Sequence, residues 1–176
     1  LEIAYDRTCN FDCSYCNPAF SSTWVKDING NGAYQGLLSD GRGYFTHPHD
    51  SNQLYGYQEF NPYVEAFFKW WECDLHKTLS QLRVTGGEPL MSADLWKLVE
   101  WFEKNGDKSQ TSLAINSNLV AKPALIQRLI DVKKHLPSLG VYSSCEAIDG
   151  SAEYIRDGMI FTQWWENMQL LHENDI

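Results

Sequence analysis

Residues 1–6 alternate apolar and polar, with Leu1, Ile3 and Tyr5 on one side, which predicts a half-buried strand. Further on, Val64, Phe67, Phe68, Trp71 and Leu75 recur at helical spacing behind Pro62, a residue suited to a first turn. A strand over 81–85 follows, then a helix capped at Ser92 with Leu95, Leu98, Val99 and Phe102 on one face, ended by Asn105-Gly106. The pattern repeats: a strand over 111–116, and a helix opened by Pro123 that carries Leu125, Ile126, Leu129 and Ile130 to Lys133-Lys134-His135. A fourth strand is expected over 139–144. A last helix with Phe161, Trp164, Trp165, Met168 and Leu171 runs to the chain end. Only 21–61 breaks the rhythm. Rich in Gly, Asn, Tyr and Ser, it reads as an irregular insertion with room for one short helix, and loops of that length are usually functional or mobile.

Alternating strands and helices imply right-handed βαβ units and a parallel sheet, so the fold class is α/β. In such sheets the loops after the strands gather at the carboxyl edge, where ligands bind. Four segments fall there: 9–16, 86–89, 116–118 and 143–146. No internal repeat is evident beyond the strand–helix unit.

At 176 residues, one domain over 1–176 is expected, large enough to bury a core. The chain has 14 Lys and Arg against 23 Asp and Glu, a formal charge of -9, which argues against a phosphate-tracking nucleic-acid surface. An acidic surface favours a cationic peptide partner over RNA. No apolar run reaches the roughly 18 residues of a membrane span, and no signal peptide is evident. Five cysteines, three of them crowded together, do not make a secreted disulfide framework, and a cytoplasmic location is expected. The chain begins on a strand-like run without Met, and we expect it to be an excerpt of something longer.

Those three cysteines, Cys9, Cys13 and Cys16, have the spacing C-x3-C-x2-C. Spacing alone leaves three readings open: a zinc site lacking a nearby fourth ligand, a thioredoxin-like Cys13–Cys16 pair with Cys9 unexplained, or three corners of an iron–sulfur cluster. The second chemical feature is Gly86-Gly87-Glu88-Pro89, at the end of the second strand. Its glycines let a ligand approach backbone groups closely, and the Glu88 carboxylate can accept from an ammonium group. A plain strand-to-helix turn would use the same glycine pair. Other chemistry-bearing residues have bland expectations. Cys73 and Cys145 should be buried in the core, His47 and His49 solvated, and the pairs Trp70-Trp71 and Trp164-Trp165 packed on the sheet.

Together the two motifs resemble the radical S-adenosylmethionine (SAM) superfamily: Cys9, Cys13 and Cys16 with Tyr15 match its cysteine signature, and residues 86–89 match its GGEP motif. Ser144-Cys145-Glu146-Ala147 through Gly150, with Ala152 to Arg156, resembles the subgroup carrying a SPASM or twitch extension, many of whose members modify peptides. The resemblance covers the chain apart from the insertion. It implies a partial (β/α) barrel, truncated here after about four β/α units, in which the three cysteines bind a 4Fe-4S cluster and SAM chelates the fourth iron. It further implies that Gly86, Gly87 and Glu88 hold the SAM amino group and that Tyr15 lies beside the adenine. Ser144 and Glu146 would contact the ribose, and Arg156 the carboxylate. The expected function is reductive cleavage of SAM and hydrogen abstraction from a peptide or protein. The alternatives are a small metabolite, as in biosynthesis of a nucleotide-derived product, and a non-catalytic iron–sulfur or zinc module. An electron donor such as flavodoxin or ferredoxin is the implied partner.

The chain departs from the family pattern in several respects. Glu146 stands where the family usually has Asp, and Asn116-Ser117-Asn118 replaces the common Thr-Asn-Gly. The family's strands five and six have no counterpart before Ile176, nor do cysteines for auxiliary clusters follow Cys145, and a trimmed chain is the expected reason.

Overall fold

Alternation along the strands decides which side of the sheet meets the helices. The computed structural model describes residues 1–32 and 61–176. Four strands, β1 (Glu2–Ala4), β2 (Gln81–Thr85), β3 (Ser112–Asn116) and β4 (Leu139–Tyr142), form one parallel sheet in the order β1-β2-β3-β4. Leu82, Val84, Leu113, Ile115 and Leu139 point into the core. They meet Leu95, Leu98, Val99 and Phe102 of α4 (Ala93–Asn105) and Ile126, Leu129 and Val132 of α5 (Pro123–Val132). Each such fully buried side chain is worth roughly 1.5–3 kcal/mol. The sheet is open, and this α/β arrangement is compatible with a partial β/α fold.

The opposite sheet face is polar. Register sets Glu2 beside Arg83, Arg83 beside Ala114, and Ala114 beside Gly140, with Asn116 paired to Tyr142 in the next row. Arg83 Nη1 donates to Asn116 Oδ1 at 2.8 Å, and its guanidinium lies 4.6 Å from the centre of the Tyr142 ring. A cation held this way over an aromatic face keeps a fixed direction.

Helix α2 (Pro62–Trp70) continues through a π-helical turn, Trp71–Leu75, into the short α3 (His76–Thr78). Phe67, Phe68, Trp71 and Leu75 are buried, and Trp71 meets Trp101 and Phe102 edge-on at 5.2 and 5.4 Å. Cys73, expected in the core, is instead exposed, because it stands on the side of the turn away from Trp71 and Leu75. Similarly, Trp71 and Trp164 are buried while their neighbours Trp70 and Trp165 are exposed, so only one of each pair packs inward.

One helix exceeds the predicted set, α6 (Asp149–Ile155) before α7 (Phe161–Glu173), while α1 (Ser22–Asn31) takes the place of the one short helix allowed within the 21–61 insertion. The rest of that insertion, with His47 and His49, lies outside the described residues. Ser92 does stand at the N-terminus of α4, but its hydroxyl donates to Asp6 Oδ2 at 2.6 Å and does not cap the helix. No helix among the described residues is long and apolar enough to cross a membrane.

Candidate active site

The cysteine loop follows β1 and is held from three directions. Next to it, Gly86 and Gly87 come so close that a Cβ on either would meet the Asp6 carbonyl oxygen at 2.5 Å or that of Thr8 at 2.4 Å. Gly86 also has φ +123°, a conformation L side chains rarely adopt. The amides of Gly87 and Glu88 then donate to the carbonyls of Asp6 (3.2 Å) and Thr8 (2.6 Å). The glycine pair therefore seats the turn against the chain entering the cysteine loop.

Glu88 ties in the loop after β3. Its side chain is buried, and Oε1 accepts from Leu90 N (2.9 Å) and Ser117 Oγ (2.8 Å) while Oε2 accepts from Asn118 N (2.6 Å). Burial raises its pKa, and these bonds oppose the shift. Asn118 Nδ2 donates to Asn10 Oδ1 at 2.7 Å, and Asn10 Nδ2 reaches the Val120 carbonyl at 3.2 Å, closing the link to the cysteine loop.

The loop after β4 and helix α6 supply the third direction. Arg156, buried, makes a two-pronged pair with Glu146 (Nε to Oε2 2.6 Å, Nη2 to Oε1 3.1 Å). Tyr15 OH donates to the same carboxylate at 3.0 Å, and the Arg156 guanidinium lies 5.7 Å from the Tyr15 ring centre. The hydrogen bond from Arg156 holds Glu146 below the usual carboxylate range. Backbone bonds from Asp12 N to Asp157 O (3.1 Å) and Ser14 N to Ile155 O (2.9 Å) complete the contact. Ser144 is exposed, and Ser143 Oγ accepts from Trp164 Nε1 at 2.8 Å. Cys145 is also exposed, contrary to its expected core position; β4 ends at Tyr142, so strand alternation no longer governs it.

Cys13 is buried, and Cys9 and Cys16 are half-buried. Burial pushes the Cys9 thiol up to about 11, an N–H from Phe11 to its sulfur (3.4 Å) works the other way, and Glu88, Cys13 and Cys16 add to the rise. Cys13 is raised by burial and by Cys16, with Arg156 opposing. Cys16 is raised by burial, opposed by its bond to the Asn17 backbone. Cys9 thus stands in the fields of Cys13 and Cys16, and Cys13 in that of Cys16, and bound iron is what would favour the charged forms. Among the described residues, no three His, Cys, Asp or Glu side chains form a site for a single metal ion. A cubane cluster makes a different demand, since each cysteine takes its own iron, and this donor set fits it.

No family model and no solved structure matches the chain. It is similar to curated proteins named GTP 3',8-cyclase. That of Sulfurovum sp. (strain NBC37-1) is 25% identical over 131 residues, 74% of this chain and 30% of the relative. That of Campylobacter lari is 24% identical over 134 residues, 76% of this chain and 32% of its own. The Aliarcobacter butzleri protein is 28% identical over 127 residues, 70% of this chain and 29% of its own. These are radical SAM enzymes. The chain is their distant homologue. It spans about a third of their length, and the kinship supports the radical SAM superfamily without reaching the SPASM/twitch subgroup.

Proposed function

We propose that the chain is a radical SAM enzyme core, a partial (β/α) barrel in which Cys9, Cys13 and Cys16 hold a 4Fe-4S cluster and the post-strand loops hold SAM. The observation that carries this is the set of three thiols on one loop at the sheet's carboxyl edge, held by Asn118 and Glu146 of the other post-strand loops, in a distant homologue of such enzymes. When bound, the cluster and SAM supply a reductively generated radical that abstracts hydrogen from a substrate.

The chain's own residues bind and orient. The Gly87 and Glu88 amides are already engaged, so the turn offers a ligand ammonium group acceptors: carbonyl oxygens and the remaining lone pair of Glu88 Oε2. Arg156 spends Nε and Nη2 on Glu146, and Nη1 is the group we assign to the SAM carboxylate. Tyr15 would lie along the adenine, with Ser144 and Glu146 toward the ribose. A flavodoxin or ferredoxin would deliver the electron, and the free cysteines suit a reducing compartment such as the cytoplasm.

For the substrate, the observations favour a small anionic metabolite over a peptide. Arg83 stands on the open polar sheet face and makes no ion pair among the described residues, while its register neighbour Glu2 accepts from Thr85 Oγ1 at 3.4 Å. A guanidinium held in place, with no ion-pair partner among the described residues, suits a phosphate or carboxylate. The relatives' name, GTP 3',8-cyclase, points to a nucleotide as the first probe. Peptide modification, implied by the subgroup resemblance, draws no support from these relatives. With the cluster-loaded protein, SAM and reductant, GTP should raise deoxyadenosine formation, and Arg83→Ala should lower that response about tenfold while leaving GTP-independent cleavage intact. No response to GTP or other nucleotides, together with deuterium transfer from a labelled peptide, would reverse the substrate assignment.

A further inference from the structure

Four consecutive residues at the start of α1 direct their side chains onto the cysteine loop. Ser21 Oγ donates to the Phe11 carbonyl at 2.6 Å and also accepts from Thr23 N (3.2 Å) and Trp24 N (3.5 Å), so one hydroxyl joins the helix cap to the loop. Ser22 Oγ accepts from Cys9 N at 3.0 Å and stands 3.2 Å from the Cys9 carbonyl. Thr23 Oγ1 donates to the same carbonyl at 2.6 Å, and Trp24 Nε1 donates to the Cys13 carbonyl at 3.1 Å. Ser22 N further binds the Arg7 carbonyl at 2.9 Å. An ordinary N-cap serves its own helix. Here the donors go outward, to two of the three cysteines.

We infer that Thr23 and Trp24 are positioning residues for the iron–sulfur cluster, acting through the backbone of Cys9 and Cys13; the inference rests on the cluster reading above. A cluster held by thiolates gains from amide N–H groups near its sulfurs and loses from carbonyl lone pairs turned toward it. Drawing the Cys9 and Cys13 carbonyls onto a hydroxyl and an indole N–H fixes the peptide planes that carry both ligands. The hydrogen bonds to this loop from Ile155 and Asp157 are backbone to backbone. The α1 contacts come from side chains and can be removed singly.

Outer partners of metal ligands typically cost 10–100-fold in affinity when removed. The test uses the anaerobically cluster-loaded protein and two near-isosteric changes, Trp24→Phe and Thr23→Val, with Thr23→Ser as the conservative control. Loss of iron to a chelator should be about tenfold faster in Trp24→Phe and Thr23→Val. The EPR spectrum and midpoint potential of the reduced cluster should shift in both, and Thr23→Ser should match wild type. Thermal melting of the cluster-free proteins separates this from general loosening, since a purely structural role would lower melting and leave the EPR spectrum and potential alone. That result, or wild-type chelation rates and spectra in both variants, overturns the inference while the cluster reading stands. Failure of the wild-type protein to take up iron and sulfide would remove both.

Discussion

Glu88 receives hydrogen bonds from its own turn and from the loop after β3, and burial makes each of them count. Its place in a site motif was legible from Gly86-Gly87-Glu88-Pro89. Its partners were not, because Ser117 and Asn118 lie 29 and 30 residues away and nothing local pairs them. Replacing it by Ala leaves the buried Leu90 amide, the half-buried Asn118 amide and the Ser117 hydroxyl without an acceptor, so Glu88→Ala should cost about 2–4 kcal/mol in urea unfolding, and Glu88→Gln less. Stability within error of wild type for Glu88→Ala would contradict the clamp described here. Tyr15, Glu146 and Arg156 tell a similar story: each was identified singly by resemblance, whereas their mutual network required the fold.

At the level of elements, apolar periodicity found β2 to the residue and the cores of α2, α4, α5 and α7. It missed α6, where Asp149–Ile155 buries only Ala152 and so carries no apolar stripe to read. The short helix allowed within 21–61 stands at its start, but its role was not legible, since its side chains from Ser21 to Trp24 reach the cysteine loop as polar donors. The errors over Cys73 and Cys145 came from extending a helix face and a strand alternation past the point where each holds. Both thiols should therefore react first when the native, cluster-free protein meets iodoacetamide, with Cys13 last, as peptide mass spectrometry can read. Protection of Cys73 would restore its core position and contradict the π-helical turn's orientation.

Taken whole, the molecule puts four post-strand loops on one edge of a parallel sheet, and that convergence was the part most legible from sequence. Alternating elements and two short motifs were enough to bring residues 9–16, 86–89, 116–118 and 143–146 together. Substrate recognition was less legible. The charge of -9 suggested a cationic peptide, yet the polar sheet face presents Arg83, a local feature invisible in the net charge. The most direct measurement is anaerobic reconstitution with iron and sulfide, followed by SAM and a strong reductant. Close to four irons and four sulfides per chain are expected, with formation of 5'-deoxyadenosine and methionine that disappears in Cys13→Ser. A fully loaded wild-type protein that leaves SAM intact, or one that takes zinc in place of iron and sulfide, would contradict that expectation.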